Sequence, residues 1–207
     1  MAVDLGEIDA LLFDVGGVVI DIDFARVFTY WAQRSGRDSA QIADRFSMNE
    51  PYRQHEVGQI DGPTYFDSLR TSLGLELSER DLIDGWLQVH IGVMDGIDDI
   101  LSRSGRRWPL FGFTNSNPTH SNAAAARFAH VLGHFDVVFQ SFVLGLRKPD
   151  HEAFEVVAKS IGVPPERILF FDDSPENVNG AQAYGMPAVL VRSTADIRHA
   201  LRLKPVT

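Results

Sequence analysis

Five short runs of apolar residues punctuate an otherwise mixed chain: residues 10–14, 108–114, 136–141, 167–172 and 187–191, each rich in Val, Ile, Leu or Phe. Each run is too short for a helix and lacks polar alternation, so each predicts a strand buried on both faces. Helical patterns separate them. Asn117 before Pro118, Asp150 before HEAFEVVAKSIG and Ser174 before Pro175 are residue types that cap helix N-termini, and Gly162 and Gly185 stop two of the helices. Strand alternating with helix predicts an α/β fold, a doubly wound parallel sheet of Rossmann-like form covered on both faces.

Residues 20–90 break that pattern and show no convincing strand. They read as helices interrupted at Gly36, Gly58, Gly74 and the DGP of 61–63, with Ser78 and Asp81 spaced as in a capping box. The expectation is a core of residues 1–19 and 91–207, with a helical bundle of residues 20–90 inserted as a cap after the first strand.

Composition narrows the partners. Of 207 residues, 44% are hydrophobic and 23% charged, the balance of an ordinary globular protein, and no apolar run approaches the roughly 20 residues of a membrane span. The first ten residues carry acids and no basic segment, so no secretory signal is expected and a cytoplasmic location is. A net charge of −9 without a basic stripe argues against nucleic acid, so any phosphate it handles is bound locally. The absence of Cys removes thiol nucleophiles and thiolate metal sites.

In open parallel sheets ligands bind beyond the carboxyl ends of the strands, and here those ends are polar. The first run finishes in Asp14, the second in Thr114 and Asn115, and the fourth in Asp172 and Asp173, while Lys148 follows the third. Singly, each suits a turn or a helix cap. Together, three acids converging on one edge repel one another and call for a cation, and all-oxygen ligands suit Mg²⁺. His55, Glu56 and Gln59 fall near a cap loop expected to face the cleft, where they would either contact substrate or simply form a helix terminus ending at Gly58. His130 and His134 are four apart, but Gly133 weakens their helix and no third ligand accompanies them. Trp31 and Trp86 read as core.

The segments FDVGGVV, FTNSN, RKPD and FFDDSPENVNGA resemble, in order and spacing, the four motifs of the haloacid dehalogenase-like hydrolases. The helical insertion resembles that family's C1-type cap, and the first and last segments, with QHEVGQI, are most similar to the branch containing bacterial α-D-glucose-1-phosphate phosphatase. The resemblance implies Asp14 as a nucleophile forming an aspartyl-phosphate, with Asp14, the Gly16 carbonyl and Asp173 holding Mg²⁺. Asp172 and Asn177 would order the metal shell, Thr114 and Asn115 would bind phosphate oxygens, and Lys148 would neutralise the phosphoryl group.

The departure is Gly16. Phosphatases of this family usually carry Asp there to protonate the leaving oxygen, a role worth roughly 10² to 10⁴ in rate. Gly also suits a tight turn that brings its carbonyl to the metal. The expected activity is a Mg²⁺-dependent phosphatase for a small phosphate ester, a sugar phosphate such as a sugar 1-phosphate. A 2-haloacid dehalogenase is the alternative, against which Asp172 and Asp173 would repel a carboxylate substrate. A non-catalytic phosphate-binding regulatory module is another, with every motif position except Gly16 filled.

Overall fold

The computed structural model describes residues 4–204. In chain order its strands are β1 (Ala10–Phe13), β2 (Ile20–Ile22), β3 (His90–Val93), β4 (Leu110–Thr114), β5 (Val137–Gln140), β6 (Ile168–Asp172) and β7 (Ala188–Leu190). The helices are α1 (Phe24–Ser35), α2 (Ser39–Arg45), α3 (Glu50–Glu56), α4 (Gly62–Leu73), α5 (Glu79–Trp86), α6 (Ile97–Ser104), α7 (Pro118–Arg127), α8 (Ala129–Leu132), α9 (Ser141–Leu144), α10 (His151–Ile161), α11 (Pro175–Tyr184) and α12 (Thr194–Ala200).

All five apolar runs are strands of one parallel sheet, ordered β5-β4-β1-β6-β7. Successive side chains of a strand face opposite ways, and the sheet divides accordingly. Leu11, Phe13, Leu169 and Phe171 enter the core on one face, whereas Ala10, Leu12, Ile168 and Phe170 enter the core on the other. Phe13 and Phe171, paired in register, stack with centroids 4.8 Å apart. Each fully buried Phe contributes about 1.5–3 kcal/mol by removal from water. The order of connection reverses at β1, which leads to β4 and β5 on one side and adjoins β6 and β7 on the other. The crevice beyond β1 and β6 is therefore the switch point of the fold, and it receives Asp14 and Asp172.

Helices α1 to α5 carry a hydrophobic core of their own, built around Val27, Trp31, Tyr65, Phe66 and Trp86. Trp31 and Trp86 are fully buried, and their rings stack 6.1 Å apart. The expected breaks hold: Gly36 and Gly74 end α1 and α4 in left-handed conformation, and Asp61 caps α4 by accepting from the Thr64 N–H at 2.9 Å. The expectation of no strand in 20–90 fails at both ends, because β2 and the start of β3 pair antiparallel there. At three and four residues these strands are too short to register as periodicity.

Other capping signals are mixed. Asn117 accepts from the His120 N–H at 3.0 Å and Ser174 from the Asn177 N–H at 3.4 Å. Asp150 precedes α10 without a side-chain bond to it. Ser78 accepts from the Asp81 N–H at 3.1 Å, but Asp81 turns its carboxylate onto the Ser78 hydroxyl instead of the cap backbone. Among the described residues no helix is long and apolar enough to cross a membrane.

Candidate active site

Lys148 is the centre of the charged cluster. Its ammonium is fully buried, 3.0 Å from Asp14 Oδ1 and 2.7 Å from Asp172 Oδ2, and lies over the rings of Phe113 and Phe170 at 5.2 and 5.3 Å from their centroids. Burial opposes the charge, yet the two carboxylates hold the Lys148 ammonium above its ordinary range. Asp172 is saturated: besides Lys148, its oxygens accept from Asn177 Nδ2 at 3.0 and 3.1 Å and from the Ser174 N–H at 2.8 Å. Lys148 and Asn177 therefore fix Asp172, and Asp172 fixes Lys148.

Asp14 and Asp173 are less satisfied. Asp14 Oδ1 also accepts from the Val15 N–H at 2.6 Å, and Asp14 is only 8% exposed. Burial pushes its carboxyl up to about 8, with Lys148 pulling down and Asp172 and Asp173 adding to the rise. Burial, then the charge of Asp172, likewise raises Asp173, and among the described residues no Lys or Arg lies within ion-pair distance of it. Oxygens of Asp14, Asp172 and Asp173 lie within 4.8 Å of one another. Three clustered carboxylates against one ammonium, all hard oxygen donors, fit a divalent cation such as Mg²⁺. Because Asp172 is consumed by Lys148 and Asn177, Asp14 and Asp173 are the carboxylates left to hold it.

The glycines after Asp14 divide the turn's work differently from expectation. Gly17 is the residue in left-handed conformation, φ 81°, and a Cβ there would collide with the Asp173 carboxylate. Gly16 is not left-handed, and a Cβ on it would meet Ile22 Cδ1 at an ordinary 3.4 Å. The backbone thus requires glycine at 17 and does not require it at 16. The Val15 carbonyl accepts from Val19 and Ile20 N–H, whereas among the described residues no N–H is donated to the Gly16 carbonyl.

Thr114 lines the cleft from the end of β4. Asn115 departs from direct phosphate contact by its side chain: its Nδ2 donates to the Lys148 carbonyl at 2.8 Å and its Oδ1 accepts from the Lys148 N–H at 2.9 Å. It fixes the backbone that carries the lysine. The cleft itself is a cavity of about 790 Å³ between the strand ends and α1, α3 and α7. Beyond Asp14, Thr114 and Lys148, much of its wall is hydrocarbon, including Ile22, Phe24, Met48, Val89, Ala124 and Val138.

A family model described as haloacid dehalogenase-like hydrolase matches residues 8–185. The chain belongs to that family. It is 41% identical to phosphatase MT3486 of Mycobacterium tuberculosis, over 92% of this chain and 90% of the relative. It is 24% identical to D-ribitol-5-phosphate phosphatase of Bacteroides thetaiotaomicron, over 92% and 95%. The structure of a HAD family enzyme from Bacteroides thetaiotaomicron in complex with magnesium and inorganic phosphate superposes with TM-score 0.78 at 22% identity, covering 90% of this chain and 95% of that one. As a haloacid dehalogenase-like protein, the chain is a hydrolase.

In this hydrolase the two neighbouring candidates in the helical unit part company. Both lie at the C-terminal end of α3, the helix terminus before Gly58 that is the alternative to a loop. Glu56 lines the cleft, its Oε2 3.0 Å from Arg147 Nη2, and burial raises its carboxyl despite the Arg147 charge. His55 is absent from the cleft wall: its ring stacks on Tyr65 at 4.6 Å and its Nδ1 lies 3.3 Å from the Ile60 carbonyl. His55 is core. His134 faces Asp98 at 2.9 Å and joins no metal cluster among the described residues.

Sequence reasoning missed Arg147 and His120. Arg147 sits directly before Lys148 in RKPD, so its neighbour's role could have flagged it. His120, on the first turn of α7, stacks on Trp86 at 4.7 Å and its Nε2 lies 3.0 Å from the Trp86 carbonyl. Burial depresses its imidazole to about 3, so the ring is neutral and Nε2–H donates. Nothing in its sequence neighbourhood announced a bridge to α5.

Proposed function

We propose that this hydrolase is a Mg²⁺-dependent phosphatase of small phosphate monoesters, working through an aspartyl-phosphate on Asp14. The observation that carries the reading is the buried chain Asp14–Lys148–Asp172 at the sheet's switch point, with under-neutralised Asp173 beside it. The relatives named as phosphatases, and the magnesium and phosphate complex of the similar fold, support the same class.

Lys148 and the Val15 N–H hold Asp14 through Oδ1, so the carboxylate is oriented with one oxygen to attack phosphorus and the other toward the cation site. An O–P bond forms to Asp14 as the bond to the ester oxygen breaks and the alcohol leaves; water then attacks phosphorus, breaking the Asp14 O–P bond and releasing inorganic phosphate and the free carboxylate. Lys148 offsets phosphoryl charge throughout, and Thr114 offers a hydroxyl at the strand end. Mg²⁺ held by Asp14, the Gly16 carbonyl and Asp173 would neutralise the phosphoryl oxygens, and Asp172 with Asn177 keeps the ammonium and the nucleophile in place. Residues 20–90 act as a cap that excludes water and selects the organic group.

Gly16 supplies no acid for the departing oxygen, which favours an alcohol that leaves readily, such as the anomeric oxygen of a sugar 1-phosphate. The hydrocarbon walls favour a second reading, an ester of an apolar or aryl alcohol, because sugar hydroxyls facing those walls would be left unpartnered. Phosphate release from an aryl phosphate with and without Mg²⁺, then from sugar 1-phosphates and apolar-alcohol phosphates, tests both. Metal-independent turnover, or halide release from a 2-haloacid, overturns the phosphatase reading.

A further inference from the structure

Ser141, the first residue of α9, is fully buried and lies outside the cleft wall. Its hydroxyl touches two segments that belong to different parts of the reaction. Oγ is 2.6 Å from the Glu56 carbonyl at the end of α3, accepts from the Ser116 N–H at 2.9 Å, and is 3.1 Å from the Ser116 carbonyl. Ser116 follows Thr114 and Asn115 on the loop leaving β4. A hydroxyl has one proton, so Ser141 donates either to Glu56 or to Ser116 but not to both. The shorter contact is the one across to the helical unit.

We infer that Ser141 is a positioning residue that couples docking of α3 to the geometry of the β4 loop. With α3 docked, Ser141 donates to the Glu56 carbonyl and aims its lone pair at the Ser116 N–H. With α3 withdrawn, the proton turns to the Ser116 carbonyl, so the buried hydroxyl keeps a partner in both states and the seam can open without stranding it. Two features make α3 docking close enough to be sensed. Gly58, φ 71°, brings the chain so near α9 that a Cβ on it would stand 2.6 Å from the Phe142 carbonyl, and Glu56 meets Arg147, the neighbour of Lys148, at 3.0 Å. The inference rests on the phosphatase reading only for its consequence in turnover.

The test is a double-mutant cycle in the full-length protein, with Gly58→Ala on one side of the seam and Ser141→Ala at its centre. Amide hydrogen exchange at Ser116 is read first. Gly58→Ala should speed that exchange about tenfold in the native background and less than about twofold with Ser141→Ala present. In the same cycle kcat/KM for an aryl phosphate should fall non-additively, through KM more than kcat, which a purely structural serine would not produce. Unchanged Ser116 exchange in Gly58→Ala, or equal acceleration in both backgrounds, overturns the inference, and so does coupled exchange with kcat/KM unmoved. If Ser141→Ala does not fold, the response of Ser116 to Gly58→Ala alone decides. A native protein without phosphatase activity refutes the proposed function, while the exchange cycle still judges the relay.

Discussion

The Lys148 cluster at the strand ends and the aromatic core of the helical unit hold several of their buried polar groups differently. At the sheet edge Lys148, Asp172 and Asn177 satisfy one another through short bonds. In and around the core of α1 to α5, His55 Nε2, Tyr65 Oη and Trp86 Nε1 are buried with no partner among the described residues, and stacking of His55 on Tyr65 and of Trp31 on Trp86 carries much of the packing. A buried unpartnered polar atom costs about 1–3 kcal/mol, so evidently the aromatic burial offsets it there. A connected polar network holds reacting groups to one geometry. A stacked hydrophobic core lets the surrounding walls vary without disturbing the chemistry. Under the proposed function, the strand ends set the reaction and the helical unit sets what enters.

The sharpest way to break the division is at its fixed end. Asp14→Asn should lower turnover by at least about 10⁴-fold with the fold intact, because an amide neither attacks phosphorus nor ligates as an anion. Circular dichroism and phosphate release on one sample decide it. Residual activity within tenfold of native would mean another group attacks.

Asp173 and Lys148 should separate by sign. Asp173→Ala removes a candidate ligand that forms no ion pair among the described residues, so the Mg²⁺ needed for half-maximal activity should rise at least roughly tenfold. Lys148→Met removes the ammonium that neutralises Asp14 and Asp172. It should cost about 3 kcal/mol or more in stability, because it leaves buried carboxylates unpaired, while the Mg²⁺ requirement stays level or falls. Activity titrated against Mg²⁺, with Tm measured alongside, distinguishes them. Equal metal dependence in both variants would show the roles are misassigned.

The same contrast explains what the sequence disclosed. The strand ends are legible because a short apolar run points to the residue that finishes it, so Asp14, Thr114 and Asp172 could be placed at the carboxyl ends of the strands from the sequence alone. The helical unit is harder. Consecutive residues on a helix diverge by about 100°, so His55 and Glu56, adjacent in sequence, face the core and the cleft respectively. Hydrophobic periodicity could not tell which was which, since both are polar. What Asn115 and Ser141 bond to was beyond reach for another reason: their partners, Lys148 and Glu56, are 33 and 85 residues away.

That divergence is itself testable. Glu56→Gln should change discrimination between a bulky phosphate ester and a small aryl phosphate by about tenfold, through its place beside Arg147. His55→Phe keeps the stack on Tyr65 and should leave discrimination alone, shifting stability by about 1 kcal/mol. Steady-state kinetics of both variants on both esters give the answer. Parallel losses would make α3 structural throughout.

The smallest effect concerns Gly16, where the fixed end lacks a part. Without an acid at that position the leaving oxygen departs with its charge, so kcat/KM across aryl phosphates of graded acidity should fall steeply as the leaving group worsens. Gly16→Asp tests the cause directly. Its backbone is not left-handed and its Cβ has room beside Ile22, so the change meets no steric bar, whereas the same change at Gly17 would strike Asp173. The nearby charges of Asp14 and Asp173 would push the new carboxyl upward, which is what a proton donor near neutral pH requires. The slope should flatten, with the poorest leaving groups gaining a few-fold, about 1 kcal/mol or less of transition-state stabilisation. A shallow slope in the native enzyme, under conditions where chemistry limits the rate, would show that a proton already reaches the leaving oxygen. Glu56, the buried carboxyl on the cleft wall, is then the group to examine, and loss of the shallow slope in Glu56→Gln would identify it.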